Sequence, residues 1–321
     1  MKDLKKLSIV MPCYNEEDNV EPLHARIAAV SASLSCQLEI IFVENGSRDK
    51  TRERLIKIAS TDPRVRVLVL SRNFGYQGAI SAGLSHATGD AVVVMDGDQQ
   101  DPPEMIPSFI EKWKEGFFVV YGTRAKREAT FVNKLGYKWF YRIMRWAAYI
   151  EIPLDASDFV LMDRQVVDII VNMPERDRLV RGLRAYAGFP QTGVPYERPA
   201  RAHGVSSFRF MDYVRFGLWS IFSFSYKPLE FISYLAIGAV GLTILGMIVF
   251  FILALSDADL PRGFSSIILI MLFLGGIQLF SMAIIGQYIG RIFAEIKQRP
   301  MFIKQAEIHF ETPSPSVDSK A

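Results

Sequence analysis

The 321-residue chain has very little cysteine, only Cys13 and Cys36. Two thiols cannot build a disulfide scaffold and are too few for a cysteine-rich zinc site. Both are expected to be reduced, and neither sits in an obvious nucleophile setting. An excess of one charge is also missing, with 37 Lys and Arg against 34 Asp and Glu. A net charge of +3 carries no general nucleic-acid signature, so no nucleic-acid partner is expected. No G-x-G-x-x-G follows the first apolar run, which argues against a nicotinamide or flavin dinucleotide fold. No G-x-x-x-x-G-K-S/T occurs, which argues against a P-loop NTPase.

Formal charge is also absent from two long stretches, Phe231–Leu255 and Phe264–Ile289. Each exceeds the about 20 residues that cross a bilayer core, and core helices rarely run so far without a charge. The short loop Ser256–Arg262 makes the pair an antiparallel transmembrane hairpin. Arg209, Arg215 and Lys227 precede it, and Arg291, Lys297, Arg299 and Lys304 follow it. The loop holds only Arg262 beside Asp257 and Asp259, so both ends are expected on the cytoplasmic side. Met1–Ser8 is charged and runs into a strand, so no signal peptide is expected. The Pro/Ser-rich end Thr312–Ala321 reads as disordered. Gly238, Gly241, Gly275, Gly276 and Gly286 favour close packing, within the hairpin or between subunits of a homo-oligomer.

Before the hairpin, apolar runs alternate with helical periodicity. Strands are predicted at Leu7–Met11, Leu38–Val43, Val65–Leu70, Ala91–Met95 and Phe118–Tyr121. Helices are predicted at Glu17–Leu34, Asp49–Ala59, Gln77–Ala87 and from Pro102 to Glu115. That alternation predicts a largely parallel, doubly wound α/β sheet, in which ligands bind beyond the carboxyl ends of the strands. Four consecutive strand ends there carry polar residues: Tyr14-Asn15-Glu16, Glu44-Asn45-Gly46-Ser47, Arg72-Asn73 and Asp96-Gly97-Asp98-Gln99-Gln100. Asp96 and Asp98, one residue apart beyond a strand, can reach one hard cation such as Mg²⁺ or Mn²⁺, completed by substrate phosphates. Glu44, directly at a strand end, is a candidate ligand contact; Asp49 also reads as a plain helix cap.

Eight segments together carry a resemblance, one of them Gly89-Asp90 before the fourth strand. The others are Pro12-x-Tyr14-Asn15-Glu16, Glu44-Asn45-Gly46-Ser47-x-Asp49, Arg72-Asn73-x-Gly75, and Asp96-x-Asp98-x-Gln100-x-Pro102-Pro103-Glu104. Further on come Gly122-x-Arg124, Asp155-x-x-Asp158-Phe159-x-Leu161 and Arg201-x-x-Gly204-x-Ser206. The chain resembles the family 2 glycosyltransferases of GT-A fold. Within them it resembles the branch of dolichyl-phosphate mannose synthase and the GtrB-like bacterial polyprenyl-phosphate glucosyltransferases. The resemblance covers about residues 7–300 and departs at three points, one being Gly97-Asp98-Gln99 in place of the commoner Ala-Asp-Leu. The family's Asp-Asp-Gly-Ser is Glu44-Asn45-Gly46-Ser47 here. Its Gly-x-Ser-Lys-Tyr is Gly204-Val205-Ser206-Ser207-Phe208, so a lysine is missing at Ser207.

The resemblance implies a division into a GT-A catalytic domain (1–165), an acceptor-side and juxtamembrane segment (166–228), the two membrane helices (229–290) and a cytoplasmic tail (291–321). It implies that Pro12, Tyr14, Glu16, Glu44, Asn73 and Asp96 line the nucleotide-sugar pocket. Asp96, Asp98 and Gln100 would gather at the metal, and Asp158, with Asp155 as rival, would be the third active-site carboxylate. Arg124, Arg201 and Ser206 are candidates for the acceptor phosphate, given arginine's forked geometry. One of the arginines in Glu175–Arg184 is a further candidate for substrate contact. Basic-aromatic segments Asn133–Tyr149 and Phe208–Tyr226 are expected to lie at the lipid surface.

The implied reaction is metal-dependent, inverting transfer of a hexose from a nucleoside-diphosphate sugar to polyprenyl phosphate, with UDP-glucose the leading donor. GDP-mannose is the main alternative. A processive family 2 polysaccharide synthase would need a Gln-x-x-Arg-Trp motif and more membrane helices. An inactive nucleotide-sugar-binding scaffold would not need intact Asp96, Asp98 and Asp158.

Overall fold

The computed structural model describes residues 2–124, 156–176, 178–197, 222, 225–255 and 263–310. The segments Asn133–Tyr149 and Thr312–Ala321, most of Phe208–Tyr226, and the loop Ser256–Arg262 lie outside the described residues. So do Asp155, Arg201, Ser206 and Ser207.

Eight strands form one sheet: β1 (Lys6–Cys13), β2 (Gln37–Glu44), β3 (Val65–Leu70), β4 (Ala91–Val94), β5 (Val119–Arg124), β6 (Ala156–Asp163), β7 (Gln191–Tyr196) and β8 (Lys304–Ile308). Their spatial order is β7-β5-β6-β4-β1-β2-β3-β8. β1 to β4 are mutually parallel, and β5 and β7 share their direction. Only β6 and β8 run the other way. The expected largely parallel sheet is therefore present, with two antiparallel insertions. Nothing in the local sequence pattern of β6 reveals its direction.

The strands are buried on both faces, as parallel strands flanked by helices must be. Successive side chains point to opposite faces. Leu7, Ile9 and Met11 of β1 therefore join Ile40 and Phe42 of β2 in one core. That core is closed by α1 (Val20–Ser31), α2 (Thr51–Thr61) and α4 (Ile106–Lys114). On α4, Ile106, Phe109, Ile110 and Trp113 are the buried residues, a spacing that makes one helical stripe. Val10 and Val43 face the other way, against α3 (Gly75–His86). The helix can come this close because Gly83 has no side chain; a Cβ there would collide with Val10 Cγ1. Completing the unit are α5 (Arg164–Asn172) and α6 (Val180–Tyr186).

Two long helices form a second compact unit: α7 (Lys227–Leu255) and α8 (Phe264–Ile296). By length and composition both are able to cross a membrane. They expose Ile237, Leu242, Phe273, Leu279 and Ile289, a surface that water does not tolerate in a monomeric soluble protein. Both run beyond the charge-free stretches, α7 starting at Lys227 and α8 continuing to Ile296. Tyr288 donates its hydroxyl to the Ser225 carbonyl at 2.6 Å, and its ring meets Phe222 edge-on. A Cβ at Gly238, Gly241, Gly275, Gly276 or Gly286 would meet nothing within 4 Å.

β8 has no counterpart in the sequence reading, which treats residues 291–321 as a tail. It is a short, charged edge strand, and its pattern is decided by the sheet it joins.

Asp163 ties several elements of the sheet unit together. Its Oδ1 accepts the Gln165 N–H and caps α5, while Oδ2 accepts Lys2 Nζ and Trp113 Nε1, each at 2.8 Å. Asp163→Ala removes a cap and leaves the buried indole N–H unpaired. A loss of about 2–4 kcal/mol is expected, checked as a fall in melting temperature in detergent; a shift below one degree would contradict it.

Candidate active site

The shared direction of β1, β2 and β3 brings the residues that follow them to one edge. A cavity of about 360 Å³ opens there, lined by Tyr14, Glu44, Asn73, Arg48, Arg72 and residues of neighbouring turns. Gly46 makes the turn after β2 possible. Its φ is +71°, and a Cβ would lie 2.5 Å from the Arg72 carbonyl carbon. Glu44 is buried and accepts the Ser47 N–H at 2.5 Å. Asn45, where the family has a carboxylate, uses both sides of its amide. Oδ1 accepts the Phe74 N–H at 3.0 Å, and Nδ2 donates to Asn73 Oδ1 and the Gly75 carbonyl. A carboxylate could not make the last two bonds, so Asn45 positions the β3–α3 turn. Asp49 also holds structure. Its two oxygens accept the Thr51 N–H, the Thr51 hydroxyl and the Glu17 N–H.

Glu16 is not a cavity residue; its Oε2 accepts Asn19 Nδ2 at 2.6 Å, and its N–H donates to Thr51 Oγ1. Pro12 also stands outside the cavity, beneath the β4 loop. A Cβ on Gly97 would lie 3.0 Å from its carbonyl oxygen, so glycine between the two aspartates lets that loop settle on β1. Cys13 is buried, and burial together with Glu16, Glu44 and Asp49 pushes its thiol pKa well up. It is protonated at neutral pH and no nucleophile.

Acidic groups crowd the end of β4. Asp96 accepts the Tyr76 hydroxyl at 2.5 Å, and its backbone N–H donates to Asp101 Oδ2 at 3.1 Å. Asp101, 2 % exposed, also accepts the Tyr196 hydroxyl at 3.0 Å. Asp98 Oδ1 accepts the Gln100 N–H at 3.1 Å, closing the acidic turn. Burial, then repulsion from Asp101, Asp98 and Asp158, raises the Asp96 pKa to about 7, against the pull of the Tyr76 bond. Such a deficit of positive charge is what a divalent cation relieves. Among the described residues, no three Asp, Glu, His or Cys side chains form a ready-made cage. The donor set suits a hard ion held by one or two carboxylates and completed by a diphosphate.

Asp158, on β6, stands on the far side of Asp96 from the cavity strands in the sheet order. Arg181 on α6 pairs with it at 3.2 Å. Arg184, one turn further, is 1 % exposed; its Nη2 donates to the Ser157 carbonyl, and its guanidinium lies over the Tyr121 ring. Burial lowers its pKa to about 10, so it is charged at neutral pH. Arg178 donates to the carbonyls of Glu175, Met173 and Val171.

Of the sequence candidates, Tyr14, Glu44 and Asn73 share the cavity. Asp96, Asp98, Gln100 and Asp158 belong to the acidic end. Arg124 is the last residue of β5 rather than a loop residue beyond it. Sequence reasoning missed Tyr76 and Asp101 as members of this site, whereas Arg181 and Arg184 lie in the Glu175–Arg184 run it had singled out. Asp101 ends the same acidic run as Asp96 and was legible in that sense. Tyr76 carried no signal beyond its place after Gly75.

Residues 8–170 match the model of the family described as Glycosyl transferase family 2. A Synechocystis protein named as an uncharacterized glycosyltransferase is 42% identical over 301 residues, covering 93% of this chain and 94% of its own. A Shigella flexneri protein named as a prophage-derived bactoprenol glucosyl transferase is 35% identical over 299 residues, covering 93% of this chain and 97% of its own. Among solved structures, glucosyl-3-phosphoglycerate synthase from Mycobacterium tuberculosis is 21% identical. It covers 67% of this chain and 76% of its own at a TM-score of 0.44. The chain is a glycosyltransferase of α/β fold and belongs to glycosyl transferase family 2.

Proposed function

We propose that the protein transfers glucose from UDP-glucose to a polyprenyl phosphate, with inversion, at the cytoplasmic face of a membrane that α7 and α8 span. The observation that carries this reading is the pairing of two features on one sheet edge. One is a polar cavity large enough for a nucleoside, the other an acidic cluster with Asp96 at about 7. The bactoprenol glucosyl transferase name of the Shigella relative supports glucose and the polyprenyl acceptor. The long apolar helices and the flanking basic residues support the membrane and its orientation. Residues 1–165, 166–228, 229–290 and 291–321 serve as catalytic, acceptor-side, membrane and tail segments in this reading, with β8 returning the tail to the catalytic sheet.

A polyprenyl phosphate is already anionic near neutral pH, so no strong base is needed to make it a nucleophile. The protein's task is to hold that phosphate in line with the anomeric carbon and to receive the charge that builds on the departing diphosphate. Asp96 and Asp98, with Gln100, would hold Mg²⁺ or Mn²⁺, which supplies charge neutralisation for the diphosphate. Tyr14, Glu44 and Asn73 would face the nucleoside, with Pro12 and Glu16 shaping the loops beneath it. Asp158, oriented by Arg181, would face the sugar or the acceptor. Arg181 and Arg184 would supply positive charge in place of the lysine missing at Ser207, together with Arg124 and Arg201, and Ser206 a hydroxyl for the acceptor phosphate.

The test is transfer of label from UDP-glucose, with GDP-mannose in parallel, to short-chain polyprenyl phosphate in detergent, with and without Mn²⁺. Lipid-linked product from UDP-glucose is expected, and product from GDP-mannose alone would overturn the donor. Asp98→Asn should lower divalent-dependent transfer by at least a hundredfold with the fold intact by circular dichroism; wild-type rates would remove it from the metal site.

Asp158→Asn is expected to lower turnover more than donor affinity, and Arg181→Ala to do the same to a smaller degree. Turnover in both variants equal to wild type would take that ion pair out of the reaction.

Asp96 also links the site to stability. Its raised pKa means the ligand-free folded protein holds a proton that the unfolded chain gives up near pH 4. The fold therefore loses stability through this group as pH rises from about 4 to 7. Asp96→Asn should stabilise the ligand-free protein above pH 7 and negligibly at pH 4, read as the melting-temperature difference across pH. An equal difference at both pH values would contradict the crowding.

A further inference from the structure

The edge strand β8 begins seven residues after α8 ends, with 297–303 between them. It pairs antiparallel with β3, and the pairing is irregular at one point: Ala306 stands opposite Val69, but Lys304 stands opposite Leu70. Gln305 is the extra residue between them. Such a bulge re-aims a side chain that regular pairing would direct elsewhere, and bulges recur at sheet edges beside functional sites. Here the bulge puts Gln305 into the lining of the cavity beside Glu44 and Asn73. The Ile303 carbonyl accepts the Ser71 N–H at 2.9 Å, which fixes the strand past the end of β3. Arg52 of α2 donates to Gln305 Oε1 at 3.4 Å. The amide oxygen is thereby engaged, and Nε2 is the group left to donate.

The strand order β4-β1-β2-β3-β8 puts β8 at the opposite end of the site from the acidic cluster. A nucleoside diphosphate with its phosphates at Asp96 and Asp98 lays its base toward β3 and β8. We infer that Gln305 is a specificity-determining residue, donating its side-chain amide N–H to a carbonyl edge of the donor's nucleobase. The inference rests on the UDP-sugar reading above and deepens it. Uracil offers a carbonyl at C4 where cytosine, a base of the same size, offers an amino group. A donor held in place by Arg52 therefore favours uracil over cytosine.

The experiment is calorimetric binding of UDP and of CDP, with Mn²⁺, to the full-length protein in detergent, for wild type, Gln305→Ala and Gln305→Glu. Gln305 is exposed, so both variants are expected to fold. Wild type should prefer UDP. Gln305→Ala should weaken UDP about three- to tenfold, the loss of one hydrogen bond, and narrow the UDP-to-CDP ratio by the same factor. Gln305→Glu keeps an oxygen for Arg52 but replaces the donor with an acceptor, and should move the preference toward CDP. A wild type that prefers UDP, with variants keeping its ratio, overturns the inference and leaves the UDP-sugar reading standing. A wild type that does not bind UDP overturns both.

Discussion

Six of the eight strands run in one direction, and the chemistry of the molecule depends on that constraint. Strands of common direction deliver whatever follows them to one edge. Tyr14, Glu44, Asn73 and Asp96 come from widely separated positions and still meet there. The cost of gathering carboxylates falls on Asp96, whose neighbours Asp101, Asp98 and Asp158 oppose its ionisation. Carboxylates gathered in this way repel one another, and the buried parallel core beneath them holds the edge together.

The antiparallel strands add what the parallel half cannot. β6 brings Asp158 to the acidic end, where Arg181 of α6 pairs with it. β8 closes the opposite edge and brings Gln305 to the cavity. The site is thus framed by two strands from outside the repeating strand-helix pattern. One follows a long insertion and the other follows α8. The second places a residue from beyond the apolar helices among those of the first half of the chain.

Several residues of the motifs also hold the loops in place. Asn45 crosslinks the turn after β3 through both halves of its amide, and Asp49 bridges the starts of α1 and α2. Glu16 is engaged by Asn19 and Thr51. A site that must hold a flexible nucleotide needs such supports, since a loop free to move loses the orientation on which transfer depends.

Much of this was legible from residue order alone. Apolar runs with alternating helical stretches disclosed the positions of β1 to β4 and α1 to α4, because burial on both faces leaves a continuous apolar run. Two stretches without formal charge disclosed α7 and α8, because hydrocarbon excludes charge. The acidic pair after β4 was visible because its residues are neighbours in the chain. What the tertiary structure alone decided depends on contacts between residues far apart. The direction of β6, the pairing of Asp158 with Arg181, the closeness of Tyr76 and Asp101 to Asp96, and the bulge that aims Gln305 at the cavity are of this kind. Each is set by which strand lies beside which, and strand neighbours leave no periodicity in the chain for a local pattern to record.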